Sequence, residues 1–199
     1  MKLPNLNILR EFVDIPKVFH SSETERPFSH CISCERFLLA DNEQYVIEKA
    51  IKNYRKFHTS DTIFEYAMCM ACYEKIQKSL SGTSKQNIEN YFNQNVDLIS
   101  RRKDLLQDGD LRAENWIASC VVKGTPVQDL DEYQVVCQCV GDKMLFTYMP
   151  FMIGGKAMDE VVQLLSNKTL GEIDGLYGDF FGLSPELSDL VNDPRFVIV

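Results

Sequence analysis

The chain has 199 residues, 45% of them hydrophobic and 25% charged, which is enough to bury a sizeable core as one domain or two small ones. No apolar run approaches the ~18 residues of a membrane-spanning helix, and residues 1–20 lack the uninterrupted apolar stretch and small-residue cleavage site of a signal peptide. The net charge of −8 is uneven: residues 1–107 carry 15 Lys and Arg against 14 Asp and Glu, while residues 108–199 carry 6 against 15. An acidic half of this kind disfavours phosphate backbones as general partners, because nucleic-acid binding rests on basic charge.

In chain order, Leu6, Ile8, Leu9, Phe12 and Val13 fit one side of a short helix ended near Pro16. Residues 21–25 are polar and read as a loop. Residues 45–54 fit either a helical stripe or a strand face. A strand is expected, because residues 62–68 (Thr-Ile-Phe-Glu-Tyr-Ala-Met) are β-branched and aromatic and need a hairpin partner. A helix should run from Cys72 to Leu80 and stop at Ser81-Gly82. Ser84 should cap a second helix, with Ile88, Tyr91, Phe92, Val96, Ile99 and Leu106 along one side for more than five turns.

The second half opens with Trp116 to Cys120. Residues 133–140 and 144–149 form a predicted hairpin about Gly141-Asp142-Lys143. Gly154-Gly155 leads to a helix carrying Val161, Val162, Leu164 and Leu165. Thr169 should cap the next helix, with Ile173, Leu176, Tyr177 and Phe180 on one side. Ser184-Pro185-Glu186 starts a short helix, and residues 195–199 could add a strand. The expected division is an N-terminal segment 1–25, a first module 26–107 and a second module 108–199.

The strongest chemical signal is a pair of Cys-x-x-Cys turns, Cys31-Ile32-Ser33-Cys34 and Cys69-Met70-Ala71-Cys72, separated by 34 residues. Each turn lets two thiolates point at one centre. Together they supply the four thiolates of a closed tetrahedral structural Zn²⁺ site. Four buried, unbridged thiols, a redox dithiol and an iron–sulfur cluster are the competing readings of the same four residues. His30, next to Cys31, could replace one thiolate but reads better as a neighbour supporting the site. Seven cysteines in a chain without an export signal point to a reducing compartment, so the expected location is cytoplasmic.

This first stretch resembles the treble-clef zinc fingers, in which a knuckle gives two ligands, a hairpin follows, and the last pair opens a helix. Cys31-Ile32-Ser33-Cys34 matches the knuckle and Cys69-Met70-Ala71-Cys72 the helix start. The resemblance covers residues 28–80. It departs from the pattern in having Glu35 where glycine often follows the knuckle, and in its long insert. It implies a fold and a bound zinc, and no activity.

The same order of elements recurs. At an offset of 85, Leu80-Ser81 falls on Leu165-Ser166, Ile76 on Val161, Ser84 on Thr169, Ile88 on Ile173 and Phe92 on Tyr177. With small gaps, Tyr45 matches Tyr133 and Cys31 matches Cys120. The other ligands do not recur: Lys123, Gly154 and Ala157 stand opposite Cys34, Cys69 and Cys72. The expected fold is therefore α+β, a treble-clef-like zinc module followed by a degenerate, metal-free copy. The vacated site is expected to be filled by Trp116, Phe146, Tyr148 and Phe151. Cys120, Cys137 and Cys139 find no fourth ligand and read as buried thiols.

Lys49, Lys52, Arg55, Lys56 and His58, interleaved with Tyr54 and Phe57, form the one basic cluster. It could meet phosphate and stack on bases, but reads first as a solvated face. No phosphate loop, nucleophile elbow or metalloprotease motif is present, and a four-thiolate zinc has no open position for water. The expected role is a structural zinc protein acting as a protein–protein interaction module. A nucleic-acid-binding zinc protein working through residues 49–58 is the first alternative, and a thiol or zinc-dependent enzyme the second.

Overall fold

The computed structural model describes residues 11–107, 109 and 111–181. These build a mixed α/β structure, with a six-stranded antiparallel sheet and six α-helices among the described residues. The strands are β1 (Phe12–Asp14), β2 (Gln44–Tyr54), β3 (Thr59–Cys69), β4 (Glu132–Val140), β5 (Lys143–Leu145) and β6 (Phe151–Gly154). The helices are α1 (Met70–Ser79), α2 (Gly82–Asn95), α3 (Leu98–Gln107), α4 (Ala113–Trp116), α5 (Gly155–Val162) and α6 (Asn167–Phe181). The sheet order is β1-β5-β4-β2-β3, with β6 also paired to β4. No helix among the described residues is long and apolar enough to cross a membrane.

β2 is central, and its environment explains the ambiguous sequence pattern. It pairs with β3 on one side and with β4 on the other, and Tyr45 to Ile51 are all buried. Alternate side chains of a strand point to opposite faces, so Tyr45, Ile47, Lys49 and Ile51 share one face and Val46, Glu48 and Ala50 the other. A strand covered on both faces loses the clean alternation that would distinguish it from a helix. α1 packs against β2 and β3, and α5 against β4 and β6.

Glu48 is the costly member of this core. It is fully enclosed, accepts a hydrogen bond from the Tyr66 hydroxyl (2.7 Å), and burial pushes its carboxyl up to about 8. The same burial, with Glu48 close by, pushes the Tyr73 phenol of α1 up to about 12.

Several expected elements change. Phe12 and Val13 lie in strand β1, paired with β5, rather than in a helix; Leu6, Ile8 and Leu9 lie outside the described residues. The long helix after Ser84 is two helices. Val96 is extended (φ −138°, ψ 125°), and Asp97 caps the start of α3 by accepting from the Ser100 N–H (2.9 Å) and hydroxyl (2.8 Å). Ser81, not Ser84, caps α2, and Ser166, not Thr169, accepts the capping bond at α6. The expected strand 144–149 ends at Leu145; residues 146–150 leave the ladder, and pairing with β4 resumes at β6. The expected helix at Ser184 and strand at residues 195–199 lie outside the described residues.

At the start of that loop Phe146 packs ring against ring with Trp116 at 4.9 Å, and the Arg101 guanidinium of α3 lies 5.2 Å over the indole. Arg101 donates to the carbonyls of Trp116, Tyr148 and Pro150. Burial holds Arg101 down to about 10, so a cation–π contact and carbonyl oxygens surround a partly desolvated guanidinium.

Candidate metal centre

The two cysteine pairs meet because a turn and a helix start are brought to one end of β3. Residues 31–37 form a tight knuckle: the Cys31 N–H donates to Arg36 O and the Glu35 N–H to Cys31 O, both at 2.9 Å. The knuckle docks on the free edge of β3 through the Ile32 N–H to Ala67 O (2.9 Å). β3 then ends at Cys69, which is the N-cap of α1, so Cys69 and Cys72 flank the helix's first turn. That is the positive end of the helix dipole, where a thiolate is favoured.

The four sulfurs of Cys31, Cys34, Cys69 and Cys72 all lie within 4.8 Å of one another. The Cys34 and Cys69 sulfurs are 3.7 Å apart. Thiolates around a tetrahedral zinc at the usual Zn–S length sit about 3.8 Å apart, so the cluster has the size of a metal cage. Cys31 and Cys69 are buried, Cys72 is half-buried and Cys34 is exposed. The Cys69 N–H points at the Cys31 sulfur (3.4 Å). Without a metal, burial pushes Cys69 up to about 12 and raises Cys72, whereas the Arg36 N–H holds Cys34 below the usual thiol range.

His30 stands aside from the cage. Its Nδ1 lies 2.9 Å from the Ser29 hydroxyl, and its ring meets Phe37 edge-on at 5.6 Å. The backbone donors of the knuckle were not legible from residue type, since any residue but proline supplies an N–H.

Residues 118–127 trace the same hydrogen bonds as residues 29–38. The Cys120 N–H donates to Thr125 O (2.8 Å), the Gly124 N–H to Cys120 O (2.7 Å) and the Val127 N–H to Ala118 O (2.9 Å), as Cys31, Glu35 and Leu38 do with Arg36, Cys31 and Ser29. Val121 docks on Met152 as Ile32 docks on Ala67. The Gly154 N–H points at the Cys120 sulfur (3.3 Å), as Cys69 points at Cys31. β4 pairs Tyr133 to Val136 with Gly154 to Phe151 in the register that pairs Tyr45 to Glu48 with Cys69 to Tyr66.

Lys123, Gly154 and Ala157, set opposite Cys34, Cys69 and Cys72 in the sequence comparison, stand in other surroundings. Lys123 pairs with Glu160 of α5 (2.6 Å), and Glu160 also accepts from the Tyr91 hydroxyl (2.6 Å). A Cβ on Gly154 would stand 2.9 Å from Leu130 Cδ2, so Leu130 fills the space a cysteine there would need. Trp116, Phe146, Tyr148 and Phe151 are all buried. Cys137 and Cys139 are fully buried with sulfurs 3.7 Å apart.

The basic cluster is largely committed to internal pairs. Lys49 is buried, 3.0 Å from Glu65. Lys52 reaches Glu132 at 3.1 Å, and Arg55 reaches Asp131 at 2.8 Å. Phe57, at 77% exposed, is the most solvated large apolar side chain among the described residues.

Four cysteines in this arrangement fit a metal ion such as zinc. Comparison with protein-family models, with curated proteins and with solved structures returned no match.

Proposed function

We propose that Cys31, Cys34, Cys69 and Cys72 hold one structural Zn²⁺, and that the chain is a protein–protein interaction module whose fold this ion ties together. The observation that carries the metal is the mutual 4.8 Å limit on the four sulfurs. A redox dithiol would bring together the two cysteines of one Cys-x-x-Cys. Here the sulfurs of both motifs converge on one centre, and an ion there would hold the knuckle to the start of α1. With four thiolates the shell is closed, so the role is shape rather than hydrolysis.

The treble-clef reading and the duplicated module belong to the same proposal. Supporting them are the matched knuckles, the matched strand registers and the crossed caps. Ser81 N–H donates to Thr169 Oγ1 (3.0 Å) while Ser166 N–H donates to Ser84 Oγ (2.9 Å), the reciprocal pattern expected where two copies meet on a pseudo-two-fold. In this reading the second copy has exchanged its metal for Leu130 and the Lys123–Glu160–Tyr91 contact.

A protein partner is favoured over nucleic acid because Lys49, Lys52 and Arg55 already face carboxylates. Two measurements test the reading. Elemental analysis of the purified protein should give one zinc per chain; less than half an equivalent, with four reactive thiols, overturns the metal site. Binding to mixed single- and double-stranded nucleic acid, measured at two salt concentrations, should be weak. Affinity that falls steeply with salt, and is lost in a K52E/R55E variant, would overturn the choice of partner.

A further inference from the structure

The segment leading into the first knuckle is fastened by one imidazole. Ile15 and Phe19 are buried and anchor a first turn, closed by the Phe19 N–H to Pro16 O (2.9 Å). After His20 the chain doubles back. The Ser21 N–H donates to Arg26 O and the Glu25 N–H to Ser21 O, both at 2.9 Å, with Glu25 in the left-handed region (φ 56°). The His20 ring stands between these two turns. Its Nε2 lies 2.9 Å from Ile15 O and its Nδ1 3.1 Å from Glu25 O.

Both partners are backbone carbonyl oxygens, which only accept. A neutral imidazole has one N–H and one lone pair, so it satisfies one carbonyl and turns a lone pair towards the other. Only the imidazolium donates to both. We infer that His20 is a proton-operated clasp: its imidazolium closes the turn at residues 21–26 onto the turn at residues 15–19, and loss of the proton releases it.

The charged groups facing the clasp from the sheet are Lys49 of β2 and Glu65 of β3. Lys49 Nζ donates to the His20 carbonyl (2.6 Å) and pairs with Glu65 (3.0 Å); Glu65 accepts the Ser22 N–H (2.7 Å). On the segment itself stand Lys17, Glu23, Glu25 and Arg26. Glu65 is not the switch. Burial alone would raise its carboxyl, but Lys49 and the Ser22 N–H outweigh burial and hold it below the usual carboxylate range. It stays ionised across the interval, about pH 5–8, in which imidazoles change charge, and its charge is taken up by Lys49. The clasp is closed while the His20 ring carries both protons and opens when it loses one.

Hydrogen exchange of the full zinc-loaded chain at pH 5.5 and pH 8, corrected for intrinsic exchange, reads the clasp directly. Protection of the Ser21 and Glu25 amides should fall about tenfold at the higher pH, as expected for loss of one charge-assisted hydrogen bond. The Ile32 amide, bonded to Ala67, should not change. A long-range ¹H–¹⁵N spectrum at pH 5.5 should show both His20 ring nitrogens protonated, and H20Q should remove the pH dependence. A neutral His20 ring at pH 5.5, equal protection at both pH values, or an undiminished pH response in H20Q would each overturn the clasp.

Discussion

Cys34 is the informative member of the proposed ligand set to change, because it is the exposed one of the four. Cys31 and Cys69 belong to the hydrophobic core, at 1% and 0% exposure, so replacing either also disturbs packing. Cys34→Ser changes an exposed position whose sulfur lies 3.7 Å from the Cys69 sulfur. In metal-free protein it should therefore shift stability by no more than the ~0.5 kcal/mol typical of surface substitutions. With zinc the position differs, because a ligand that binds only the folded state stabilises it by RT ln(1 + [L]/Kd). Free zinc at a thousand times Kd gives about 4 kcal/mol, and structural four-thiolate sites bind tightly enough to reach that ratio. For a chain of this size each kcal/mol moves the midpoint by roughly 2–4 °C. Wild type in buffered zinc should thus melt roughly 8–16 °C above wild type in chelator, while Cys34→Ser should show little of that difference. The assay is thermal melting of both proteins in both conditions, beside metal content. An equal loss of stability with and without chelator would place the effect of Cys34 in packing and refute the metal tie. Unchanged zinc content in Cys34→Ser would refute its role as ligand.

Glu48 sets a pH dependence. Its carboxyl is neutral when folded, up to about 8, but ionises in the ordinary carboxylate range once unfolded. Between these limits the folded state binds the extra proton, so stability falls as pH rises from about 5 to 8 and levels off above. Glu48→Gln keeps an acceptor for the Tyr66 hydroxyl and should flatten that slope, adding a few kcal/mol at pH 8 by denaturant titration; an unchanged slope would place the dependence elsewhere. Glu35 occupies the left-handed region (φ 60°) at the knuckle position where Gly124 (φ 66°) stands in the second turn. Glu35→Gly should stabilise the chain by about 1 kcal/mol in urea unfolding, because glycine adopts that conformation without strain; destabilisation would mean the glutamate side chain makes a contact worth more than the strain. Glu160→Gln should cost no more than about 1 kcal/mol, as a partly exposed pair does, and should leave zinc content unchanged.

The convergence of the four cysteines is legible because its determinants are local. Two Cys-x-x-Cys turns fix sulfur pairs by backbone geometry, and a strand running into Cys69 followed by a helix fixes where the second pair points. The β2–β3 hairpin could also be read from the residues, since turn chemistry and apolar periodicity act over a few positions. The caps lie one turn earlier than residue type alone indicates. Ser81 and Ser84 are both competent, and the choice follows from Thr169 and Ser166 crossing over from the other half. Likewise the break at Val96 was signalled by Asp97 and Ser100, but the apolar stripe running through both helices concealed it.

What the tertiary structure alone decided concerns charge. In the sequence Lys49, Lys52 and Arg55 form a basic run; in the fold Glu65, Glu132 and Asp131 neutralise them, two of these reaching across from β4 and the turn before it. Glu48 looks like an ordinary strand carboxylate until β3, β4 and α1 close over it. His20 sits in an unremarkable loop until two carbonyls five residues to either side converge on its ring. Local sequence specifies which groups are present and how the nearest backbone turns. The protonation state of a group and whether its charge is free depend on desolvation and on partners brought from distant positions, and those are set only when the chain packs.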